Sequence, residues 1–412
     1  MDSAVNVLAP QVPDSEWQSH LRTLTEQAPL QPFAPITLDF IDRVSQRILQ
    51  DQSLRQFPEL MAVAYWMRRS SIRKIQQEML EQMQGRVYQP RGIVLHFAPS
   101  NVDTIFIYSW FLSVLAGNSN ILRLSARRGD QVSILLASIN EVFETEPFKP
   151  VRDRTLIVCY EHDTEITQEF SRRCQVRVIW GGDETIRHVR SIPLNPLATE
   201  LAFADRFSSA VLKSAAVLNA SQEDFTELVH HFYNDAFWFD QMACSSPRLV
   251  MWIGSPEETI AAQQRFWSGV ETHLQEIGYE PLAAVRIRRL ATAYYYGSEL
   301  ENVSISEQRT ALLTRVALPC INERLREMHC GGGLFLEVSF PALQKITATL
   351  TQKDQTLTVY GFSLEELTSL AGSLPRRSVD RVVPVGQALM FTSTWDGTNL
   401  LWAFTREVLI VS

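Results

Sequence analysis

One cysteine in this chain stands where a nucleophile would be useful. Cys244 lies within Phe239-Asp240-Gln241-Met242-Ala243-Cys244-Ser245-Ser246-Pro247-Arg248, with small hydroxyl residues following it. As a thiolate it would be a nucleophile, and a ligand meeting it there would find the residue's own backbone N–H alongside. Residues 223–239 before it repeat Phe225, Leu228, Val229, Phe232, Ala236 and Phe239 near the helical period, and Ser221 and Asp224 stand in capping positions. Residues 249–253 after it are short, apolar and β-prone, and Gly254-Ser255-Pro256 stops them. The thiol is therefore expected in a tight helix-to-strand connection, the kind of scaffolded loop that carries catalytic groups. Taken alone, the same cysteine also reads as a small buried hydrophobe.

Upstream, strands and helices alternate. A buried-strand run at 93–97 leads into the turn Ala98-Pro99-Ser100-Asn101 and an apolar helix over 103–115, which Gly117-Asn118 closes as a left-handed cap. Strand 120–125, helix 130–143, strand 156–160, helix 165–172 and strand 176–180 follow. This order predicts an α/β protein with doubly wound parallel sheets. Ligands of such sheets sit beyond the strand C-termini, which places Asn101, Arg123, Ser125, Gly181 and Gly182 along one edge. Gly181-Gly182, ahead of a helix over 184–190, fits a plain strand-to-helix turn or a close backbone approach to a pyrophosphate. No GxGxxG or Walker pattern accompanies it.

Four regions are expected: a helical N-terminal lead-in over 1–90, a cofactor-binding region over 91–215, a cysteine-bearing region over 216–375, and a C-terminal return segment over 376–412 ending in a strand at 407–411. The lead-in carries a helix around Leu38, Ile41, Val44 and Ile48 and one longer helix over 60–80, whose Arg68, Arg69, Arg73 and Lys74 form a solvated face. Gly331-Gly332-Gly333 reads as a turn between elements or as a loop that closes on substrate.

A chain of 412 residues is long for one core, which predicts at least two lobes. Hydrophobic content of 45% with 20% charged residues is that of a globular protein. Five scattered cysteines cannot form a closed disulfide framework and point to a reducing, cytoplasmic setting. A net charge of -8 opposes nucleic acid or an anionic membrane as partner. The first residues lack the basic and apolar regions of a signal peptide, and the longest apolar run, 105–116, is too short for a membrane span. No His, Cys or Asp spacing suggests a metal.

The order of the pieces is more specific than any one of them. Ala-Pro-Ser-Asn before an apolar helix ending Ala-Gly-Asn, a strand with a basic residue, a glycine turn, a strand opening Glu200-Leu201 and then Gln-x-x-Cys resembles the aldehyde dehydrogenase superfamily. His96-Phe97-Ala98-Pro99-Ser100-Asn101-Val102, Trp180-Gly181-Gly182-Asp183-Glu184-Thr185-Ile186, Phe232-Tyr233-Asn234-Asp235 and the Cys244 segment are similar to the LuxC-type acyl-CoA (fatty acid) reductases. So are the stretch from Arg381 to Leu389 and Trp395-Asp396-Gly397. The resemblance runs from about Arg91 to the end. It implies an aldehyde-dehydrogenase-like fold of two lobes, and a reductase that takes an acyl thioester to the aldehyde through a Cys244 acyl-enzyme with NADPH. The implied donor is acyl-CoA or an acyl carrier, with an acyl-transferring synthetase as a further partner. The implied assembly is a homo-oligomer in which the terminal strand crosses to a neighbouring lobe or subunit. Asn101 and the Cys244 N–H match the superfamily's oxyanion hole. Pro99, Ser100, Arg123, Ser125, Gly181, Gly182 and Thr185 match its cofactor-binding segments. With Arg127 and Arg128 beside it, Arg123 would favour a 2′-phosphate, although a surface basic cluster gives the same residues. Glu200 matches the general-base glutamate, but the glycine pair that follows it in the superfamily is Ala202-Phe203 here, so it is either a proton carrier or a structural cap. Two other readings stay open: an aldehyde-oxidising dehydrogenase, and a non-redox subunit that accepts an acyl group on Cys244.

Overall fold

The structure is a computed structural model and describes residues 5–83, 86–99, 105–126, 129–161, 163–306, 311–375 and 377–411. The chain divides into two compact units, 1–204 with 391–412, and 205–390. The first contains β1 (Asn6–Ala9), β2 (Val87–Pro90), β3 (Ile93–Phe97), β4 (Ser119–Leu124), β5 (Thr155–Cys159), β6 (Val176–Trp180) and β7 (Thr199–Phe203). Its six-stranded sheet has the order β1-β5-β4-β3-β6-β7 and is parallel except for β1. Alternation along the strands explains why they read as continuous apolar runs. Val94, Leu122, Ile157 and Val178 face one core, and Leu95, Ile121, Val158 and Ile179 face the other. A sheet covered on both faces has no polar side to show.

The helix Ile105–Leu115 is buried along its whole length because a second helical layer covers it. Phe40, from the helix Pro35–Gln50, stacks on Phe143 at 5.2 Å and meets Trp110 edge-on. The N-terminal helices are thus the outer layer of the first unit, and not a separate lead-in. The single helix expected over 60–80 is two, Pro58–Trp66 and Arg69–Gln82. Trp66 and Ile72 are six residues apart, which is off the helical period, and the extended Arg68 breaks the run where Asp42 accepts the N–H of Arg69. Gly117 adopts φ +87, and a Cβ there would lie 2.1 Å from the Leu30 carbonyl, so only glycine fits this cap. The terminal strand, Thr405–Val408, belongs to the first unit and not to the second unit's sheet. It pairs antiparallel with β2 in the same unit, and Leu409, Ile410 and Val411 extend beyond the pairing.

The second unit contains β8 (Phe207–Lys213), β9 (Pro247–Ile253), β10 (Ser304–Ile305), β11 (Thr314–Ala317), β12 (Leu334–Phe340), β13 (Asp354–Tyr360) and β14 (Arg381–Pro384). The order is β10-β11-β12-β9-β8-β13-β14, parallel except for β10. Its boundaries differ from those expected at 215/216 and 375/376. β8 is bonded to β9 and β13, and β14 to β13, so both belong to this sheet, and the chain changes unit after Ala204 and after Met390.

His96 illustrates how the first core treats a polar residue. Its Nδ1 takes the Ser109 hydroxyl at 2.9 Å, and its Nε2 donates to Asn120 Oδ1 at 3.1 Å. Asn120 Nδ2 is committed to the Asn118 carbonyl, which fixes that arrangement. Burial lowers the imidazole pKa to about 4, offset in part by the Asn120 bond. The stability this neutral ring secures is complete above the unfolded value near 6.5 and is lost as pH falls through 4, to the extent of about 3 kcal/mol. We expect His96→Gln to be less stable at neutral pH yet to lose less than the parent on acidification to pH 4, measured by urea unfolding at both pH values.

Candidate active site

The chain leaves the helix Gln222–Phe237 and reaches β9 through the turn that carries Cys244. Asp240 and Gln241 both adopt left-handed backbone, with φ of 46 and 59. For residues with a Cβ this costs about 1–2 kcal/mol each. Hydrogen bonds hold it in place. The Gln241 N–H returns to the Ala236 carbonyl at 2.8 Å. Its fully buried side-chain amide donates to the carbonyls of Pro247 and Leu334, both at 3.0 Å, and accepts from Gly333 N at 2.8 Å. Gly332 N donates to the Asp240 carbonyl at 2.7 Å. Ser208 Oγ, on β8, donates to the carbonyl of Cys244 itself at 2.6 Å. The half-buried thiol therefore sits at the N-terminal edge of the second sheet on a turn fixed from three strands.

The glycine run is part of that fixture. Gly331, Gly332 and Gly333 are all left-handed and buried, and a Cβ on Gly331 would lie 3.0 Å from the Asp240 carbonyl and from Met242 Sδ. His329 pins its start, accepting from Gly331 N and donating to the Leu334 carbonyl. Burial, and then the nearby Arg248 guanidinium, push this imidazole down to about 3. Arg289 donates to the carbonyls of Ala311, Leu312 and Gly332, and Tyr279 donates its hydroxyl to Asp240.

Asp235 lies in the last turn of the same helix, on its buried face. It accepts from Gly386 N at 2.6 Å and Ala388 N at 2.9 Å, and burial pushes its carboxyl up to about 7 against those two bonds. Arg381 donates to the carbonyls of Gln387, Ala388 and Met390 from the other side. The segment after β14 is thereby locked to the helix that delivers Cys244. His231, one turn earlier on that helix, packs against Gly386.

In the first unit, β3 marks the point where the strand order reverses, because β4 and β5 run to one side and β6 and β7 to the other. Beyond the strand C-termini there lies a cleft of about 400 Å³ lined by Phe97, Ala98, Arg123, Tyr160, Glu161, Thr167, Glu184, Thr185 and His188. This is the place in such a sheet where a nucleotide binds. Arg123 donates to the Tyr160 carbonyl at 3.2 Å and lies over its ring. Gly182 caps the helix Asp183–Arg190 in ordinary extended backbone, and Gly181 packs against Thr185. Pro99 and Ser125 follow β3 and β4 at the same edge. Ser100 and Asn101 lie outside the described residues, as do Arg127 and Arg128. A cationic group, a helix N-terminus and carboxylates able to accept ribose hydroxyls fit a dinucleotide.

Glu200 is placed differently from the sequence expectation of a proton carrier. It lies in the N-terminal half of β7, opposite Arg177 of β6 and away from the cleft edge. One carboxylate oxygen takes Arg177 at 2.6 and 2.9 Å and the other takes Arg190 at 2.7 Å. Both oxygens are bound to guanidinium groups, the arrangement of a structural ion pair. Other contributors were missed. Tyr160 and Glu161 end a strand just as Arg123 does, so the same strand-end rule would have selected them. Asp235 was detectable as an acid on the apolar face of an amphipathic helix. Nothing in the sequence marks Ser208. Among the described residues, no group of three or more His, Cys, Asp or Glu could hold a metal, and no helix is long and apolar enough to cross a membrane.

The acyl-CoA reductase (LuxC) family model matches residues 37–261, more than half of the chain. The long-chain acyl-protein thioester reductases of Aliivibrio fischeri and Photorhabdus laumondii are each 25% identical, over 169 and 190 residues. Those stretches are 40% and 45% of this chain but 33% and 37% of the relatives, so the match spans about a third of their length. In fold the chain is similar to aldehyde dehydrogenase 21 of Physcomitrella patens, with a TM-score of 0.62 and 9% identity over 97% of this chain and 87% of that one. It is similar also to an NAD-dependent aldehyde dehydrogenase from Sinorhizobium meliloti, with a TM-score of 0.63 and 12% identity over 90% and 79%. Because the family match runs through the cleft-forming strands and the Cys244 turn alike, this chain belongs to the acyl-CoA reductase (LuxC) family, on the aldehyde dehydrogenase fold.

Proposed function

We propose that this protein reduces an acyl thioester to the aldehyde through an acyl group carried on Cys244. The observation that carries the reading is the Cys244 turn, a strained backbone fixed by surrounding donors and bearing a half-buried thiol, in a chain of this family. In the first half-reaction the thiolate attacks the thioester carbon, and the tetrahedral oxyanion collapses with loss of the carrier thiolate, which takes up a proton. In the second, the thioester carbon gains a hydride, the C–S bond breaks, and aldehyde leaves as the thiolate reforms. Both steps pass through an oxyanion, for which the Cys244 N–H and the side-chain amide of Asn101 are the proposed donors. A nicotinamide dinucleotide, NADPH by the basic residue at its cleft, would supply the hydride when bound. Arg123, Thr185 and the Gly181-Gly182 turn, with Pro99, Ser100 and Ser125 at the same edge, are the proposed holding residues. The donor is proposed to be acyl-CoA or a carrier-bound acyl group. The commitment of Glu200 to Arg177 and Arg190 weighs against aldehyde oxidation, which needs a residue to activate water for deacylation.

Cys244→Ser is expected to abolish aldehyde formation with an unchanged melting profile, since the substitution is near-isosteric but replaces the thiolate with a poor nucleophile. The check is an assay of NADPH oxidation with acyl-CoAs and trapped aldehyde, and retained turnover would sink the acyl-enzyme. Arg123→Ala should raise the KM for NADPH roughly tenfold more than that for NADH, as loss of one charge-assisted bond to a 2′-phosphate requires. Equal changes would assign Arg123 to a shared or structural role. Glu200→Gln should destabilise the protein by roughly 3 kcal/mol, because it leaves the buried Arg177 underpaired. Its turnover per folded molecule should stay at the parent level, and a specific fall in kcat at full folding would restore Glu200 to the reaction.

A further inference from the structure

The helix Ala283–Glu299 in the second unit has two unlike faces. Inward, Ala293 and Tyr296 are fully buried, and Val285 occupies the space that a side chain on Gly332 would need, 2.4 Å from the Cβ position. Arg289 on the same helix holds the Gly332 carbonyl, while the N–H of Gly332 holds Asp240. The helix is thus one contact removed from the Cys244 turn. Outward, Ile287 and Tyr294 are each 69% exposed, Leu290 is 37% exposed, and Leu282 just before the helix is 75% exposed. Ile287, Leu290 and Tyr294 recur at positions i, i+3 and i+7, which makes them a continuous stripe. Arg286 and Arg288 flank Ile287 and are exposed. Between Glu280 and Glu299 the sequence has no acidic residue, although the whole chain carries a net charge of -8. An apolar stripe of this kind marks an interaction site, and its cationic border selects what covers it.

We propose that this face docks the protein that carries the acyl group, through acidic side chains set around an apolar centre on that protein. The proposal rests on the thioester-reductase reading. It goes further in giving the donor a surface next to the support of the nucleophile. The stripe and its two arginines offer on the order of a few hundred Å², the scale of a transient encounter, which suits a donor that must leave after each transfer. Opposite charge raises the encounter rate at low salt. A membrane is a poorer occupant, because the inward face of the helix is fixed in the core and the helix cannot turn to sink into lipid.

The test compares kcat/KM for two donors of one long-chain acyl group: an acidic acyl carrier protein, and N-acetylcysteamine, which has no docking surface. The chains compared are the parent, Ile287→Asp, and Arg286→Glu with Arg288→Glu. Anisotropy of the labelled carrier protein gives binding independently of turnover. The expected result is a parent that prefers the carrier, and variants that lose at least tenfold in carrier kcat/KM and affinity while keeping the parent rate on the small thioester. The loss in the parent on raising salt should be absent from the charge-reversed variant. Equal loss on both donors, unchanged carrier kinetics, or no carrier preference in the parent would overturn the proposal. A change in oligomeric state would reassign the face to contact between copies, and loss of binding only to phosphatidylglycerol vesicles would reassign it to a membrane. If the parent binds the carrier and the variants do not, yet neither thioester is reduced, docking stands and the reductase reading fails.

Discussion

The buried side-chain amide of Gln241 is the bond set on which the rest of the site depends. Two consecutive left-handed residues in front of Cys244 raise the energy of the turn by about 2–4 kcal/mol together. The three hydrogen bonds of the amide, at about 1 kcal/mol each, offset that cost only as a set. They also join three separate pieces of chain: the turn, the entry to β9, and the glycine run before β12. Losing the amide would take the acceptor from the buried Gly333 N–H and a donor from the Pro247 carbonyl, while the Leu334 carbonyl would keep His329, a penalty beyond the bonds themselves. The turn, the glycines and the strand ends therefore hold one another, and the position of the thiol follows from all of them.

The two parallel sheets use opposite edges. In the first unit the cleft lies beyond the strand C-termini, where helices begin and their N–H groups point outward, an edge suited to phosphate. Cys244 lies at the N-terminal edge of its sheet, where a helix has just ended and carbonyls are in surplus. The residues collected there answer that surplus. Gln241, Ser208, Arg248, Arg289 and His329 each donate to a backbone carbonyl of the turn or of the glycine run and its strand. A helix dipole gives no help to a thiolate at such an edge, so side-chain and backbone donors have to supply what the dipole supplies in the other unit.

Periodicity made most elements legible. The strands at 93–97, 156–160 and 176–180, the helix at 130–143 and the helix-to-strand setting of Cys244 stand within a residue or two of their expected places. Local signals failed where partners distant in sequence decide. Asp42 helps to break the helix at Arg68, and β13 draws β8 into the second unit across a gap that periodicity cannot see. The glycine run was readable as a turn but not as a support, because its role appears only when Asp240 and Gln241 are brought against it. Asn101 and Ser100 fall outside the described residues, so their assignment rests on the resemblance alone.

Glu200 shows where the resemblance and the geometry part. In the superfamily pattern a glycine pair follows the glutamate, and glycine lets a chain swing away from regular pairing. Here Ala202 and Phe203 continue β7 in register with Ile179 and Trp180, and Phe203 stacks on Trp180 with ring centroids 4.1 Å apart. A strand fixed in this way keeps Glu200 opposite Arg177, where both oxygens are taken up by arginines. On the proposed chemistry this is an advantage. An acyl group on Cys244 must survive until hydride arrives, and a free carboxylate able to activate water would shorten its life by hydrolysis. The pair Ala202-Phe203, by completing a strand, thus accounts for the pairing of Glu200 with Arg177 and, on the proposed chemistry, for a carboxylate that does not activate water.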